Sequence, residues 1–370
     1  MNKLHRILDS KRLILRPIMY SDVNAIFETW GTDEDVCRYT TWYAHKNISD
    51  TMYYVQKVNN RYVTDNEYME WLVCLKETGK PFGALSLFCN ANKEWHIGYN
   101  YAKEYWHNGY GSETLQTVLD FIFTHTAINE VYAEHFSVNI NSGRVMKHCG
   151  MKYINSRTQT VKNTTFTVCE YKITKFDWLL IKTSTMDTIQ TKHFLLRPLR
   201  YEDIDTIIQW FSDEDVTKYM FSTVEVSREG VMKKLQSSME RIVAGNYKQW
   251  VISERVTEKP IGLISLNIHD DGLVAHSSYV IAKERWGNNY ATESLRAVRD
   301  YAFEKTNIYF LEASYAHPNV ASGKVMNKAG LKCQGNIVYN DKSYGEPQMI
   351  ECKSGVYPLI THRISRAELK

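Results

Sequence analysis

A fourteen-residue segment occurs twice in this chain, and the repeat restricts what the chain can fold into. Residues 102–115 read AKEYWHNGYGSETL, and residues 282–295, which lie 180 positions later, read AKERWGNNYATESL. Other segments repeat in the same order, since each half opens on Leu-x-Leu-Arg-Pro or Leu-Leu-Arg-Pro and later carries Asn-x-x-Ser-Gly-(Arg/Lys)-Val-Met. With 370 residues, the chain is long enough for two or three domains. We therefore predict two domains of the same plan, residues 1–182 and 191–370, joined by a polar linker at 183–190.

Composition excludes several classes of protein. Hydrophobic residues are 44% of the chain and aromatic residues 13%, which is ample for packed cores. A formal net charge of +3 is too small to indicate a nucleic-acid or membrane partner. The seven cysteines have no metal-site spacing, so no metal is expected, and their scatter favours a reducing compartment. No segment reaches the ~18 apolar residues of a membrane helix. The N-terminus lacks the apolar core of a signal peptide. Together these features predict a cytoplasmic protein.

Each half has an initial hairpin followed by alternating strands and helices. In the first half, the segments at 70–77 and 82–89 alternate as strands around a Thr-Gly-Lys-Pro turn. Residues 94–103 then predict a strand, and residues 111–126 predict a helix with one apolar stripe. This order predicts an α/β unit with a mixed sheet.

Between that strand and that helix lies a turn that contains two glycines, Gly109 and Gly111. Glycine lets the backbone approach a ligand closely. The first N–H groups of the helix point out of its end, and the helix dipole favours negative charge there. The turn is therefore a candidate phosphate site, although many turns of this kind bind nothing. The second copy strengthens the hypothesis.

Taken together, these motifs resemble the GNAT acyltransferase superfamily, in the branch that includes ribosomal-protein N-terminal acetyltransferases. The resemblance rests on the RLxLRP opening, the WxxGxG/A-[ST]-E turn and the Asn-x-x-Ser…Gly helix, and it covers nearly the whole chain twice. It implies a fold of the α+β type, with a mixed, mostly antiparallel twisted sheet flanked by helices in each half. It also implies acetyl-CoA as the donor co-substrate and an amine as the acceptor.

The resemblance further implies which residues hold the cofactor. The amides of the turn would hold the CoA pyrophosphate, and the strand end beside the turn would pair with the pantetheine amides. The residues expected in the first half are Tyr101, His107, Asn108, Gly109, Tyr110, Gly111, Ser112 and Asn139. Those expected in the second half are Ile281, Gly287, Asn288, Asn289, Tyr290, Ala291, Thr292 and Asn319. Asn289 stands where the first half has Gly109, and asparagine is among the residues that tolerate left-handed backbone.

Acyl transfer also needs a group that meets the departing thiolate. Many family members use a tyrosine, which Met146 and Met326 replace here. The branch that the chain resembles uses the serine of Asn-x-x-Ser instead, so Ser142 and Ser322 are the candidates. The alternative is that each serine belongs to the first turn of its helix and nothing more.

The attacking amine must lose a proton, and a histidine recurs where relatives often carry a glutamate. His96 and His276 lie 180 positions apart in the strand before the glycine turn. An ordinary imidazole pKa of about 6.5 suits acid–base work at neutral pH. The alternative is a hydrogen-bonded strand histidine with no catalytic role.

Two kinds of function stay open. One is a tandem N-acetyltransferase, and the other is a CoA-binding or scaffold protein in which one half, the second by preference, has lost turnover. The acceptor is a protein N-terminus or a small-molecule amine, and the chain is a monomer with two similar halves or a homodimer. Acceptor walls in the family come from the early helices, here residues 20–65 and 201–246. Their aromatic residues could line a pocket or form core, and core is the expectation; in the first half they are Trp42, Tyr43, Tyr53, Tyr54 and Tyr62.

Overall fold

The computed structural model describes residues 6–220, 227–335 and 348–369. Within it the chain forms two compact units, Met1–Trp178 and Leu179–Lys370.

The division between the units falls within a helix, Lys175–Thr183. The predicted linker, residues 183–190, starts at the end of that helix and closes with a two-residue strand, Ile189–Gln190. The domain limits at 182 and 191 stay a prediction.

The first unit has a sheet with helices on its faces. Its strands are Leu8–Asp9 (β1), Leu13–Pro17 (β2), Tyr68–Leu75 (β3), Pro81–Cys89 (β4), Trp95–Tyr101 (β5), Glu130–Phe136 (β6), Lys152–Val161 (β7) and Thr164–Thr174 (β8). Its helices are Val23–Ile26 (α1), Glu34–Cys37 (α2), Ile48–Thr64 (α3), Tyr110–His125 (α4), Ile140–His148 (α5) and the Lys175–Thr183 helix (α6). The strand order is β1-β2-β3-β4-β5-β6-β8-β7, in which β5 and β6 are parallel and all other neighbours are antiparallel.

The hydrophobic pattern accounts for these elements. Strand β3 buries almost every side chain because α3 covers one face and α4 the other, and Trp71 and Leu72 are fully buried on opposite faces. Helix α4 buries a stripe that includes Leu115, Val118 and Ile122, as its periodicity predicts.

The second unit repeats this plan. Its strands are Ile189–Gln190 (β9), Phe194–Arg197 (β10), Tyr247–Glu254 (β11), Pro260–Ile268 (β12), Val274–Ile281 (β13), Phe310–Ala316 (β14), Lys332–Gly335 (β15), Met349–Cys352 (β16) and Gly355–Ser365 (β17). Its helices are Ile204–Ser212 (α7), Glu214–Thr217 (α8), Arg228–Ala244 (α9), Tyr290–Lys305 (α10) and Val320–Lys328 (α11). The strand order is β15-β17-β14-β13-β12-β11-β10-β9, with β16 paired to β17 and β13 parallel to β14.

The two sheets confirm the predicted fold, a mixed and mostly antiparallel sheet flanked by helices in each half. The parallel pair occupies the same place in both units, between the strand that precedes the glycine turn and the strand that follows the long helix. That pair positions the candidate site.

Candidate active site

The parallel strands of each unit pair over a short stretch and then separate. In the first unit β5 and β6 pair at two positions, His96 with Tyr132 and Ile97 with Ala133. Beyond Ile97, these two fully described strands have no further paired residues, although β4 continues to pair with β5 as far as Tyr101. A gap therefore opens in the sheet beside the C-terminal end of β5. Backbone groups along such an open edge can pair with an added extended chain.

A serine and a tyrosine meet across this gap. Helix α5 starts directly after β6, and its Ser142 Oγ lies 3.0 Å from the hydroxyl oxygen of Tyr99 on β5. The Tyr99 hydroxyl also lies 3.1 Å from the Ser142 carbonyl oxygen, to which it can donate. Burial raises the pKa of Tyr99, so the phenol stays protonated at neutral pH.

The second unit has the same contact. Ser322 Oγ on α11 lies 2.7 Å from the hydroxyl oxygen of Tyr279 on β13. The structure thus brings each predicted serine to the strand before the glycine turn. The tyrosine that joins it there carried no role in the sequence prediction.

The glycine turn of the first unit takes left-handed backbone at two positions, His107 (φ 63°) and Gly109 (φ 77°). In the second turn the positions are Gly287 (φ 79°) and Asn289 (φ 59°). Asn289 therefore adopts the conformation that Gly109 adopts, as expected for asparagine.

The helix after each turn starts with unbonded amides. In the first unit, the first hydrogen bond of the helix runs from the Glu113 N–H to the Gly109 carbonyl (3.1 Å), so the amides of Tyr110, Gly111 and Ser112 lie in the first turn, where helix geometry offers them no acceptor. The equivalent bond in the second unit runs from Glu293 to Asn289 (3.0 Å), ahead of which lie Tyr290, Ala291 and Thr292.

Three side chains hold the first turn in place. The Trp106 indole donates to the Tyr101 carbonyl (2.7 Å), and Asn108 Nδ2 donates to the Trp106 carbonyl (3.0 Å). Glu113 accepts from the Arg12 backbone (2.7 Å) and side chain (2.6 Å). The glutamate of the turn motif is thus a structural tether to the start of β2.

The second turn is tethered in the same manner. Trp286 donates to the Ile281 carbonyl (2.9 Å), Asn288 donates to the Trp286 carbonyl (3.0 Å), and Glu293 binds the His193 backbone (2.9 Å) and ring (2.7 Å).

Asn139 and Asn319 cap the helices that carry the serines. Asn139 Oδ1 accepts from the Ser142 N–H at 3.4 Å, and Asn319 Oδ1 accepts from the Ser322 N–H at 3.3 Å. Each asparagine therefore fixes the helix turn on which the serine sits.

His96 is 9% exposed and lies at the start of β5. Its ring stacks between Phe88 and Tyr132, with ring centroids at 5.7 and 5.4 Å. Its Nε2 lies 3.0 Å from Asn90 Nδ2 and 3.7 Å from the Glu94 carboxylate. These contacts orient the imidazole, which lines the same cleft as Ser142.

His276 has different partners. Its Nε2 lies 3.2 Å from Ser314 Oγ. Burial, and to a lesser degree the neighbouring His269, lowers the pKa of His276 to about 4, so the imidazole is neutral at pH 7.

A cleft of about 1700 Å³ lies over the first sheet and reaches Ser142, Tyr99 and His96. Trp42, Tyr43, Tyr53 and Tyr54 line it, and Tyr43 and Tyr53 are 67% and 69% exposed. The expectation that these residues are core is therefore wrong for Tyr43 and Tyr53. Trp42 and Tyr54 line the cleft and also pack against the hydrophobic core of the first unit.

Tyr62 lies beneath the cleft wall. Its hydroxyl accepts from the Ile18 N–H at 3.0 Å and donates to the Glu70 carbonyl. In the second unit, residues 221–226 of the predicted acceptor wall lie outside the described residues.

A carboxylate that the sequence prediction missed stands on the cleft floor. Glu70 of β3 accepts hydrogen bonds from Tyr54 (2.5 Å) and from Tyr68. Alternation along β3 puts Glu70 on the same face as Tyr68 and the cleft, but its other partner, Tyr54, comes from helix α3. Spacing in the sequence could not reveal the Tyr54 contact.

Two further glutamates, Glu134 and Glu312, form ion pairs with arginines. Glu134 makes two 2.9 Å hydrogen bonds to Arg157, and Glu312 accepts from Arg363 Nε at 2.6 Å. Across the described residues, no group of His, Cys, Asp and Glu has the arrangement of a metal site. In the part of the chain that the structure covers, no helix is long and apolar enough to cross a membrane.

Known proteins resemble each half. A sequence model of the acetyltransferase (GNAT) domain matches residues 12–152 and again residues 193–332. The uncharacterised N-acetyltransferase p20 of Bacillus licheniformis is 28% identical over 165 residues, 43% of this chain and 90% of that protein. The uncharacterised N-acetyltransferase YoaA of Bacillus subtilis is 28% identical over 148 residues, 40% of this chain and 82% of that protein. A crystal structure of the ribosomal alpha-N-protein acetyltransferase RimL in complex with coenzyme A is 16% identical, covering 48% of this chain and 98% of that one with a TM-score of 0.41.

The two family matches span most of the chain and contain both glycine turns and both Asn-x-x-Ser helices. The family predicted from the motifs is confirmed. The chain is an acyltransferase that belongs to the GNAT acetyltransferase family, with one domain of that family in each half.

Proposed function

We propose that this protein transfers an acetyl group from acetyl-CoA to a primary amine. The observation that carries the proposal is the gap between β5 and β6, where an amide-bearing helix start and the Ser142–Tyr99 pair meet one open strand edge. A long ligand with a phosphate end and an extended, amide-containing arm fits such a place. The same arrangement recurs in the second unit around Ser322 and Tyr279.

The turn residues are the proposed holders of the diphosphate. In the first unit they are His107, Asn108, Gly109, Tyr110, Gly111 and Ser112, and their counterparts run from Gly287 to Thr292. Amides at a helix start stabilise an anion through hydrogen bonds and through the helix dipole. The ends of β5 and β13, at Tyr101 and Ile281, are the proposed partners of the extended arm. Asn139 and Asn319 contribute indirectly, because they cap α5 and α11 and so fix the helices beside the proposed CoA site.

The chemistry is a direct transfer. The amine nitrogen attacks the thioester carbonyl carbon, an N–C bond forms, the C–S bond breaks, and the products are the N-acetyl amine and free CoA thiol. Ser142 Oγ–H is the proposed donor to the departing sulfur, and Tyr99 positions it through the 3.0 Å contact. Ser322 has the same proposed role in the second unit. A donor at this point lowers the barrier because thiolate charge develops as the bond breaks.

His96 and His276 are the proposed acceptors of the ammonium proton, reached through water. His96 lines the cleft and is oriented by Asn90 and Glu94. The low pKa of His276, about 4, makes it a weak base.

A second candidate function applies to the second unit alone. The weak basicity of His276 favours a unit that binds CoA with little turnover. Such a unit would support the other half as a scaffold.

The test is a thiol-release assay on the full chain with acetyl-CoA and a panel of amines. Thiol that appears only when an amine is present, together with the acetylated amine by mass spectrometry, supports transfer. Tight CoA binding with no thiol release for any amine would instead leave the binding-protein alternative.

A further inference from the structure

The half-buried carboxylate on the cleft floor has two hydroxyl donors. Tyr54 and Tyr68 donate to the two oxygens of Glu70. Within the described part of the chain, no lysine or arginine forms an ion pair with it. The guanidinium of Arg61, on the same wall, is paired with Asp65 at 2.8 Å and stacks 3.5 Å from the Tyr68 ring centroid. Burial raises the pKa of Glu70, against the opposite effect of its two tyrosine hydrogen bonds and of the Arg61 charge.

Beside this carboxylate, the rings of Tyr54, His45 and Trp42 form an aromatic wall of the cleft. The Tyr54 ring lies 6.0 Å from the ring of His45, and His45 lies 5.7 Å from Trp42. Burial lowers the pKa of His45, and its Nδ1 lies 2.8 Å from Thr51 Oγ1, so this ring is neutral at pH 7. Aromatic faces beside a desolvated carboxylate attract ammonium groups through cation–π and charge interactions. The three ring residues, Trp42, His45 and Tyr54, all line the cleft.

The sheet register sets the distance from Glu70 to the reacting end of the cleft. Glu70 pairs with Ser86, and Ser86 pairs with Gly98, which is the first residue of β5 beyond its last pair with β6. Two strand spacings separate Glu70 from the gap, which is roughly 10 Å. The carboxylate is therefore too far away to take a proton directly from an amine that reacts at the gap. It is well placed to hold a second charge on the same acceptor.

The second unit lacks this charge. Register alignment puts Gln249 of β11 where β3 has Glu70, since Gln249 pairs with Ser265 and Ser265 pairs with Ser278. Lys234 stands at the helix position of Tyr54. A carboxylate and a tyrosine are thus exchanged for an amide and a lysine, although Tyr247 and Arg241 keep the stacked arrangement of Tyr68 and Arg61.

We propose that the first unit takes a dicationic acceptor, an α,ω-diamine or polyamine, whose second ammonium pairs with Glu70 while the first amine reacts at the gap. This proposal rests on the proposed acetyl transfer and names the acceptor class for that site. The second ammonium supplies the direct ion pair that Glu70 does not make with the described residues, and the aromatic wall covers the methylene chain between the two nitrogens.

The experiment compares matched acceptors on the full chain. Diaminobutane, diaminopentane and diaminohexane are assayed with acetyl-CoA beside butylamine, pentylamine and hexylamine. We expect a kcat/KM for the best diamine at least tenfold above its monoamine, which corresponds to about 1.4 kcal/mol. Glu70→Gln should remove about tenfold of the diamine kcat/KM, mainly through KM, and leave the monoamines unchanged.

A charge-matched control is Glu67→Gln. Glu67 is exposed, pairs with Lys93 at 3.1 Å and lies outside the cleft, so its removal should leave the diamine preference intact. Should Glu70→Gln unfold, Glu70→Asp, which keeps the charge but withdraws it by one methylene, should shift the best diamine to a longer one and decides by the same set of acceptors. Calorimetric titration of the CoA-loaded protein with diaminobutane gives a second reading that needs no turnover.

The outcomes separate this inference from the proposed function. Equal rates for diamines and monoamines, or a diamine preference and optimum length that Glu70→Gln and Glu70→Asp both leave untouched, overturn the dicationic acceptor while acetyl transfer stands. Transfer confined to peptide N-termini overturns it as well. No thiol release with any amine overturns the proposed function itself, and diaminobutane binding that depends on Glu70 would then show a cation site without transfer.

Discussion

Two backbone positions in each glycine turn need a left-handed conformation, and the two halves meet the need with different residues. The first turn has His107 and Gly109 there, and the second has Gly287 and Asn289. Glycine has thus changed place between the two copies. A motif written around Gly109 captures one of the two positions and overlooks His107, because a histidine gives no sign of positive φ in the sequence.

The Gly109 position separates two substitutions by backbone strain. Left-handed backbone costs an ordinary residue roughly 1–2 kcal/mol, more for a β-branched one and less for asparagine. We expect Gly109→Val to weaken CoA binding about tenfold or more. The matched Gly109→Asn, which copies Asn289, should weaken it by less than about threefold. Calorimetric titration with CoA measures both, and equal losses would show that strain in the turn is not what holds the amides in place.

His276 makes stability depend on pH. Its folded pKa of about 4 lies below the ordinary value of about 6.5, so between those limits the unfolded chain binds more protons and stability falls as pH falls. From about pH 7.5 to about pH 5 this group should remove on the order of 2 kcal/mol of unfolding free energy. His276→Gln cannot titrate, so the stability gap between wild type and variant should shrink by that amount. Urea titrations at both pH values measure the gap, and a constant gap would contradict the low pKa.

At the scale of elements, one glutamate joins the first turn of α4 to the start of β2. Glu113 accepts from Ser10 Oγ (2.7 Å), from the Arg12 N–H (2.7 Å) and from Arg12 Nε (2.6 Å). Arg12 also donates to the Asn108 carbonyl in the turn (3.1 Å). The opening motif and the turn motif are thus parts of one contact, which explains why they recur together in both halves.

We expect Glu113→Gln to lower the unfolding free energy by about 1–2 kcal/mol, because the new amide places a donor against Arg12 Nε–H. The matched control is Glu104→Gln, since Glu104 is exposed and pairs with Lys80 alone among its described neighbours, at 3.2 Å. Exposed pairs contribute about 0–1 kcal/mol, so the control should stay near wild type. Urea titration of both variants checks this, and a control as damaging as Glu113→Gln would remove the special role of the tether.

Most of the strands and helices could be predicted from the sequence, but the gap between strands β5 and β6 could not. Periodicity predicted strand β4 at 82–89 and helix α4 at 111–126, each within one residue of its observed limits. It missed the start of β3, which begins at Tyr68, two residues before the predicted strand, because Tyr68 is buried by tertiary contacts. The gap after Ile97 depends on how two distant strands diverge, and no local pattern records that.

Across the whole molecule, the contacts that build the scaffold are duplicated and those that face the acceptor are not. The buried pair Arg197–Asp203 (2.7 Å) repeats Arg16–Asp22 (2.8 Å), just as Tyr279–Ser322 repeats Tyr99–Ser142. On the acceptor side, the second unit has Gln249 at the strand position where the first unit has Glu70. Duplication has kept the parts proposed for the cofactor and changed those proposed for the acceptor. The two halves should therefore differ in turnover more than in CoA binding.

Serine substitutions in each half test this difference. Ser142→Ala should lower kcat with a diamine acceptor at least tenfold and change CoA affinity by less than about threefold, because the serine is proposed to act on the departing sulfur. Ser322→Ala is the matched variant, with the same hydroxyl lost beside Tyr279. We expect it to leave most of the turnover in place, since His276 is a weak base and Gln249 offers no charge to a dication. The double variant should then resemble Ser142→Ala.

Steady-state kinetics and calorimetry on all three variants give the comparison. Equal losses from Ser142→Ala and Ser322→Ala, with a further loss in the double variant, would mean that both halves turn over and that the second takes an acceptor of its own. Wild-type kinetics in Ser142→Ala would remove that serine from the mechanism. Tyr99, whose phenol lies 3.0 Å from Ser142 Oγ on the same edge of the gap, would then be the donor to test next.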